Sequence, residues 1–425
     1  MPSGTGVNTG TVAGGEQYSS AAQLCNLLEQ GSRALTIGAS GINARIHIVI
    51  GNEACDADSC ISALVQSLVM ASNGSASHNA SGSAIIIPVI SCTRSDWTLR
   101  RESGVIIKRW LGGDENYASV LIFLDDILPV AQSLNDVSLL SITLVDHNVL
   151  TGELAAWGWS ERVVSIVDHH EDAGAHMGAE RKIDWDPSAS PPRGAGSCCS
   201  ILALAAAAEV GLLDKPLATA LLSVIALDCI GFDAAAGKVT KVDEAAVEKL
   251  TSTANMQSVS QLFVELSSLR ADPTWWCTLP PRDALRVDYK GFTAGGEGLM
   301  VGTSALMISI TRWLDAGEKK AVALRDFARE RDLDVCILFS LQGGGEGGGG
   351  PPTRQLAFFT PTTTGERAVT AALSTLTAPG GAGYTWGLRE VIPSGVPGLH
   401  VFDQADARVS RKQIAPRFLE ALASA

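Results

Sequence analysis

Through the first two thirds of the chain, short runs of Ile, Val and Leu alternate with longer Ala- and Leu-rich stretches. Strands are predicted at residues 46–50, 84–90, 120–124, 141–145 and 163–167, and helices at 60–71 and 199–210. Nearly continuous apolar strands separated by helical stretches predict a parallel sheet covered on both faces. In such sheets functional residues gather at the carboxyl ends of the strands. Residues 242–269 are more charged and helical in pattern. A second αβ region starts near Trp275, with strands predicted at 298–310, 333–341 and 355–360. The glycine tract at 343–350 formally fits a dinucleotide fingerprint, but it is low-complexity and precedes two prolines, which predicts a surface loop.

The fold class expected is α/β, in two domains. The boundaries read as a mobile Gly/Ser/Thr tail over 1–21, a catalytic domain over 22–250, a linker over 251–274 and a smaller αβ domain over 275–425.

Composition narrows the function. A formal charge of −13 argues against a protein that coats nucleic acid, since that requires a basic face. No apolar run is long enough to span a membrane. Nine cysteines without a C-x-x-C pair fit free thiols in a reducing compartment. These features predict a soluble cytoplasmic protein with no membrane or nucleic-acid partner, most simply a monomer. The sequons at Asn73 and Asn79 are then expected in a polar loop.

Four segments bring carboxylates to where strands are expected to end. Gly-Asn-Glu-Ala-Cys-Asp-Ala-Asp-Ser fills 51–59, Asp146-His147-Asn148 and Asp168-His169-His170 each follow an apolar run, and Asp228 stands alone in a fourth. Three of the seven histidines fall in the two Asp-His strings. Charges abutting buried strands are costly unless compensated, and oxygen plus imidazole donors favour Mg²⁺ or Mn²⁺ over structural zinc. Singly, each segment is also compatible with a helix cap or a turn.

Together and in this order, the four segments resemble the motifs of the DHH phosphoesterases, in the branch with a DHHA2-type C-terminal domain. Exopolyphosphatases, family II pyrophosphatases and prune-like proteins make up that branch. Val287-Asp288-Tyr289-Lys290 and Ser410-Arg411-Lys412-Gln413 are similar to its C-terminal elements. The resemblance implies an N-terminal DHH domain, a smaller DHHA2 domain and an active site in the cleft between them. It implies two divalent ions, Mg²⁺ foremost and Mn²⁺ as the alternative. One ion would be held by Asp56 and Asp146 beside Asn52. The other would be held by Asp58, Asp146, His169 and Asp228. His147, His170, Lys290, Arg411, Lys412 and Arg94 would bind substrate phosphate, with Ser410 as the N-cap of a helix carrying Arg411 and Lys412.

The family pyrophosphatases carry His at position 52; Asn52 follows the exopolyphosphatase and prune pattern and implies a weaker preference for Mn²⁺. The activity implied is exopolyphosphatase, two-metal release of orthophosphate from the ends of inorganic polyphosphate. The alternatives are an inorganic pyrophosphatase, a prune-like hydrolase of short polyphosphates or nucleotides, and a signalling scaffold with a vestigial site.

Overall fold

The structure, a computed structural model, describes residues 19–37, 45–76, 84–133, 137–256, 258–294, 298–315, 319–344, 350–381, 386–391, 396–407, 409 and 411–423. Most of the expected tail, the sequon at Asn79, Ser410 and part of the glycine tract lie outside the described residues. The chain forms two compact units. The first comprises residues 1–52, 58–91 and 106–259; the second comprises 53–57, 92–105 and 260–425.

The first unit is built on five parallel strands, β1 (Ile46–Ile50), β2 (Ile85–Val89), β3 (Leu140–Val145), β4 (Val163–Asp168) and β5 (Glu180–Ile183). Their order in the sheet is β2-β1-β3-β4-β5. All five residues of β1 are buried, His47 among its four aliphatic residues included, as a nearly continuous apolar strand predicts. The strand order reverses between β1 and β3, so the chain leaves their carboxyl ends in opposite directions. That junction is where open α/β sheets place their ligands, and Asn52 and Asp146 stand just beyond these two strand ends.

Helices α1 (Ser20–Ile37) and α2 (Ala57–Ala76) accompany the sheet, together with α3 (Arg101–Trp110), α4 (Leu124–Ser133) and α5 (Gly152–Ala156). A short hairpin, β6 (Trp185–Asp186) with β7 (Arg193–Gly194), leads into α6 (Cys198–Ala208), α7 (Lys215–Asp228) and α8 (Lys241–Ala254).

Three expectations for this unit are corrected. Residues 120–124 do not form a strand: only a single parallel bridge joins Phe123 to Ile90. The chain then turns into α4, because Asp126 accepts the Phe123 amide at 2.8 Å and caps the helix start. Asp228 does not end a strand but closes α7. Asp214 caps that helix by accepting the Leu217 amide, and Pro216 occupies its first turn. Because residues 220–226 are buried all round, no polar face marks the helical period. Asn73 lies within α2 rather than in a loop.

The second unit contains α9 (Val259–Arg270), α10 (Pro273–Thr278), α11 (Pro281–Arg286), β8 (Lys290–Ala294), β9 (Leu299–Leu306), α12 (Ile310–Asp315), α13 (Lys319–Glu330) and β10 (Val335–Ser340). It continues through β11 (Gln342–Gly344), β12 (Gly350–Phe359), α14 (Thr363–Thr377), β13 (Leu388–Val391), β14 (Leu399–Gln404) and α15 (Arg411–Ala423). Its sheet runs β13-β14-β12-β10-β9-β8, with β11 paired to β12. Among the described strand pairs of this sheet, only β9–β10 is parallel. One face packs Phe358 and Phe402 against Val369 of α14 and Phe418 of α15, and the other packs Leu338 and Phe359 against Trp313 and Phe327. The strand expected over 298–310 stops at Leu306, because Ser309 accepts the Arg312 amide at 3.2 Å and starts α12.

Candidate metal centre

Gly51 follows β1 directly, and a Cβ there would lie 2.6 Å from Cβ of Ser59. The missing side chain lets the first turn of α2 close on the strand end. Ser59 exploits that approach: its hydroxyl accepts the Asn52 amide at 3.1 Å and donates to Asp146 Oδ2 at 2.6 Å. Asn52 Nδ2 donates to the same Oδ2 at 2.8 Å and to the Asp146 carbonyl at 3.1 Å.

Asp146 has a left-handed backbone, φ 62°, a region that Asp tolerates better than most residues. Its carboxylate is buried, with Oδ1 turned toward two imidazoles: His169 Nε2 at 3.1 Å and His170 Nδ1 at 3.8 Å. One oxygen is therefore engaged by neutral donors, while the other faces two imidazole nitrogens.

Asp168, the last residue of β4, is fully buried. Asn148 Nδ2 donates to its Oδ2 at 2.6 Å, while the His169 amide and His170 Nδ1 lie 2.8 and 2.9 Å from its Oδ1. Burial would raise its pKa, but the hydrogen bonds from His170, Asn148 and the His169 amide, with the His170 charge, hold it down to about 2. Asn148 also bonds the loop after β4, through the Glu171 carbonyl and the Ala173 amide.

His169 donates from Nδ1 to the Ala195 carbonyl at 2.7 Å, so Nε2 is the nitrogen presented to Asp146 and, at 3.6 Å, to Asp58 Oδ2. Burial lowers its proton affinity, but the Asp146 hydrogen bond and the charges of Asp58 and Asp146 push its pKa up to about 10. Asp58 lies in the first turn of α2 and accepts the Cys198 and Cys199 amides at 2.7 and 2.9 Å. Two helix N-termini thus converge on one buried carboxylate, replacing the water it has lost.

Among the described residues, Asp146, Asp168, His169 and His170 bring one ligand atom each within 4.8 Å of one another. Their chemistry fits a hard divalent ion. His169 already has its other nitrogen bonded to a carbonyl, the orientation a ligating imidazole needs. The neighbouring Cys198 and Cys199 thiols are pushed well above their ordinary pKa by burial and by Asp58, so no thiolate competes.

Of the residues expected in the centre, Asp146 and His169 meet directly, and Asp58 stands beside them. Asp56 is exposed in the turn before α2, and Asp228 is half-buried at the end of α7; neither joins this four-residue cluster. His147 donates from Nδ1 to the Val145 carbonyl at 2.9 Å, and burial lowers its pKa. His170 is half exposed and open to a ligand. Asp168 and Asn148 are the contributors that motif reading passed over, although both lie inside the quoted strings. Their position at and just beyond strand ends is the signal that marks them.

In the second unit, Lys290 is exposed on β8 and Arg94 is exposed in the short helical turn Arg94–Leu99. Arg411 opens α15 and donates to the Asp288 carbonyl and carboxylate at 3.1 Å. The Lys412 side chain lies outside the described residues.

Residues 277–421 match the DHHA2 domain model. The C-terminal region is a DHHA2 domain. Ahead of it lies the parallel five-stranded sheet with the Asp-His cluster. The chain is similar over 384 residues to "Exopolyphosphatase PRUNE1" of Bos taurus, at 29% identity, covering 89% of this chain and 76% of that protein. The Homo sapiens protein of the same name is 28% identical over the same length and the same shares. A solved Methanococcus jannaschii structure, assigned as a family II inorganic pyrophosphatase, superposes with a TM-score of 0.53. The match covers 89% of this chain and 99% of that one at 16% identity, a likeness of fold. These similarities support a DHH–DHHA2, prune-like assignment for the chain that carries this DHHA2 domain. Among the described residues no helix is long and apolar enough to cross a membrane.

Proposed function

We propose that this protein is an exopolyphosphatase, a phosphoanhydride hydrolase that releases orthophosphate from the ends of inorganic polyphosphate with two divalent ions. The observation that carries this reading is the cluster of Asp146, Asp168, His169 and His170 at the carboxyl ends of β3 and β4. The PRUNE1 relatives, named exopolyphosphatases, point the same way.

Asp146 and His169 would hold the ions, with Asp56, Asp58 and Asp228 completing the ligand set. When bound, such ions lower the pKa of a water and neutralise phosphate charge. The protein's own part is to orient and to bind. Asn52 and Ser59 leave Asp146 Oδ1 turned toward the imidazoles. Asp168 sets His170, whose exposed ring can donate to a phosphate oxygen. Lys290, Arg94, His147, Arg411 and Lys412 would supply further phosphate contacts. Arg411 can keep its Asp288 partner and still donate, because a guanidinium carries five N–H groups.

Orthophosphate release from long polyphosphate, tripolyphosphate and pyrophosphate, each with Mg²⁺ or Mn²⁺, tests the substrate. The reading expects both polymers to be hydrolysed faster than pyrophosphate. A clear preference for pyrophosphate would overturn the substrate and keep the metal centre.

A further inference from the structure

Asp243 is a fully buried carboxylate that the proposed chemistry leaves unused. It lies in the first turn of α8, and its charge is met by hydrogen bonds from amides and hydroxyls. Thr240 donates to Oδ2 from its amide and its hydroxyl, both at 2.8 Å. Those two bonds cap α8. The other bonds leave the helix altogether. The Gly196 amide donates to Oδ1 and Oδ2 at 3.0 and 2.9 Å, and the Ser200 hydroxyl donates to Oδ1 at 2.6 Å. Gly196 is fitted closely to this grip: a Cβ there would lie 3.2 Å from Asp243 Oδ2 and 2.4 Å from Cys229 Sγ.

Asp243 thus clamps residues 196 and 200, and the stretch it clamps carries the groups that orient two residues of the metal centre. One residue before Gly196, the Ala195 carbonyl accepts His169 Nδ1–H at 2.7 Å and so selects the nitrogen that faces Asp146. Between the two clamped residues, the Cys198 and Cys199 amides hold the Asp58 carboxylate. A carboxylate binding four donors in a dry interior is rigid, since every displaced bond leaves a buried polar group unsatisfied.

We propose that Asp243 is a positioning residue for the metal centre, acting through residues 195–199 to preset the His169 ring and the Asp58 carboxylate. This rests on the metal-centre reading above, but its first consequence needs no metal. Asp243→Asn removes the charge and replaces one accepting oxygen with a donor, so the clamp is weakened in either orientation. Nδ2 at the Oδ2 position meets the Gly196 and Thr240 donors, and at the Oδ1 position it loses the bond from the Ser200 hydroxyl and one of the two Gly196 contacts. In the metal-free protein, the Nδ1–H resonance of His169 in nitrogen-resolved NMR is expected to shift or broaden in this variant. In Mn²⁺ titrations followed by electron paramagnetic resonance, affinity is expected to fall about tenfold, the usual scale for losing an outer partner of a metal ligand.

Thr240→Val removes the hydroxyl bond that caps α8 and spares the clamp, so it is expected to leave both readouts near the parent values. Ser200→Ala removes one arm of the clamp and provides a milder probe if Asp243→Asn does not fold. It should move the His169 resonance in the same direction. An unmoved resonance in folded Asp243→Asn or in Ser200→Ala would overturn the proposal. An equal effect from Thr240→Val would overturn it too, by reducing Asp243 to a helix cap. Failure of the parent protein to bind Mn²⁺ would instead count against the metal-centre reading, with the NMR comparison still deciding the role of Asp243.

Discussion

Asn52 Nδ2 lies 2.8 Å from Asp146 Oδ2, joining the second residue after β1 to the first after β3 across the junction where the strand order reverses. The bond commits the Asn52 amide nitrogen to orienting the carboxylate. Removing it in Asn52→Ala is expected to weaken Mn²⁺ binding about tenfold, as loss of an outer partner generally does. Asn52→His would offer an imidazole at the same place and is expected to strengthen Mn²⁺ binding relative to Mg²⁺. Calorimetric titration of both ions into each variant checks the pair of outcomes. An unchanged Mn²⁺ affinity in both would refute this role.

Metal binding should release a proton. With its pKa pushed up to about 10, His169 carries a proton at neutral pH while no ion is present. An ion taking the Nε2 lone pair must displace that proton. Titration of Mn²⁺ at pH 7.5 in two buffers of different ionisation enthalpy is expected to give apparent enthalpies that differ by about one proton's worth. Identical enthalpies would mean that His169 is not the ligand.

The same shifts set the pH dependence of stability in the metal-free protein. His47 lies buried on β1 between Ser141 and Thr143, and burial lowers its pKa from 6.5 to about 4. Below pH 6.5 the unfolded chain takes up a proton that folded His47 refuses, so stability falls as pH drops from 6.5 toward 4. The loss is about 3 kcal/mol in all. Asp168, depressed from 3.8 to about 2, adds a further acid loss below that window, as pH falls from 3.8 toward 2 and folded carboxylate is forced to protonate. His169 has the opposite sign: its raised pKa gives stability that is complete below 6.5 and lost as pH rises toward 10. Urea unfolding of the metal-free protein is therefore expected to show greatest stability near pH 6.5. His47→Gln should flatten the limb between 6.5 and 4.

Gly51→Ala is expected to damage fold and site together. The added Cβ would meet the Ser59 Cβ at 2.6 Å and its carbonyl oxygen at 2.8 Å, contacts that only a shift of α2 can relieve. Overpacking of this kind costs about 1–3 kcal/mol. Because Ser59 and Asp58 ride on the displaced turn, Mn²⁺ affinity should fall as well. A variant with parent-like stability and metal affinity would contradict the tight approach of α2 to β1.

How far the sequence reveals this molecule depends on how each segment is buried. Strands β1, β3 and β4 are legible because they are short and largely apolar, and the charge directly after β3 and at the end of β4 makes the Asp146 and Asp168 strings stand out. Helix α7 is not, since a helix buried on every side has no polar face to reveal its period, and Asp228 therefore reads from sequence as a strand end. Residues 120–124 are apolar enough for a strand, but the acidic pair Asp125-Asp126 draws the chain into a helix after one bridge. The partners of the site were harder still. Asp243 is 185 positions from Asp58, and only the folded chain shows that they grip one short stretch, Asp243 at 196 and 200 and Asp58 at 198 and 199.

The central claim is that Asp146 is the hub of a metal centre that hydrolyses phosphoanhydrides. Its most direct test is orthophosphate release from long polyphosphate by the parent protein and by Asp146→Asn, with Mn²⁺ binding measured on the same samples. The account predicts metal-dependent release by the parent, and loss of both turnover and tight Mn²⁺ binding in a variant that remains folded. A folded Asp146→Asn that binds Mn²⁺ and releases orthophosphate like the parent would contradict it.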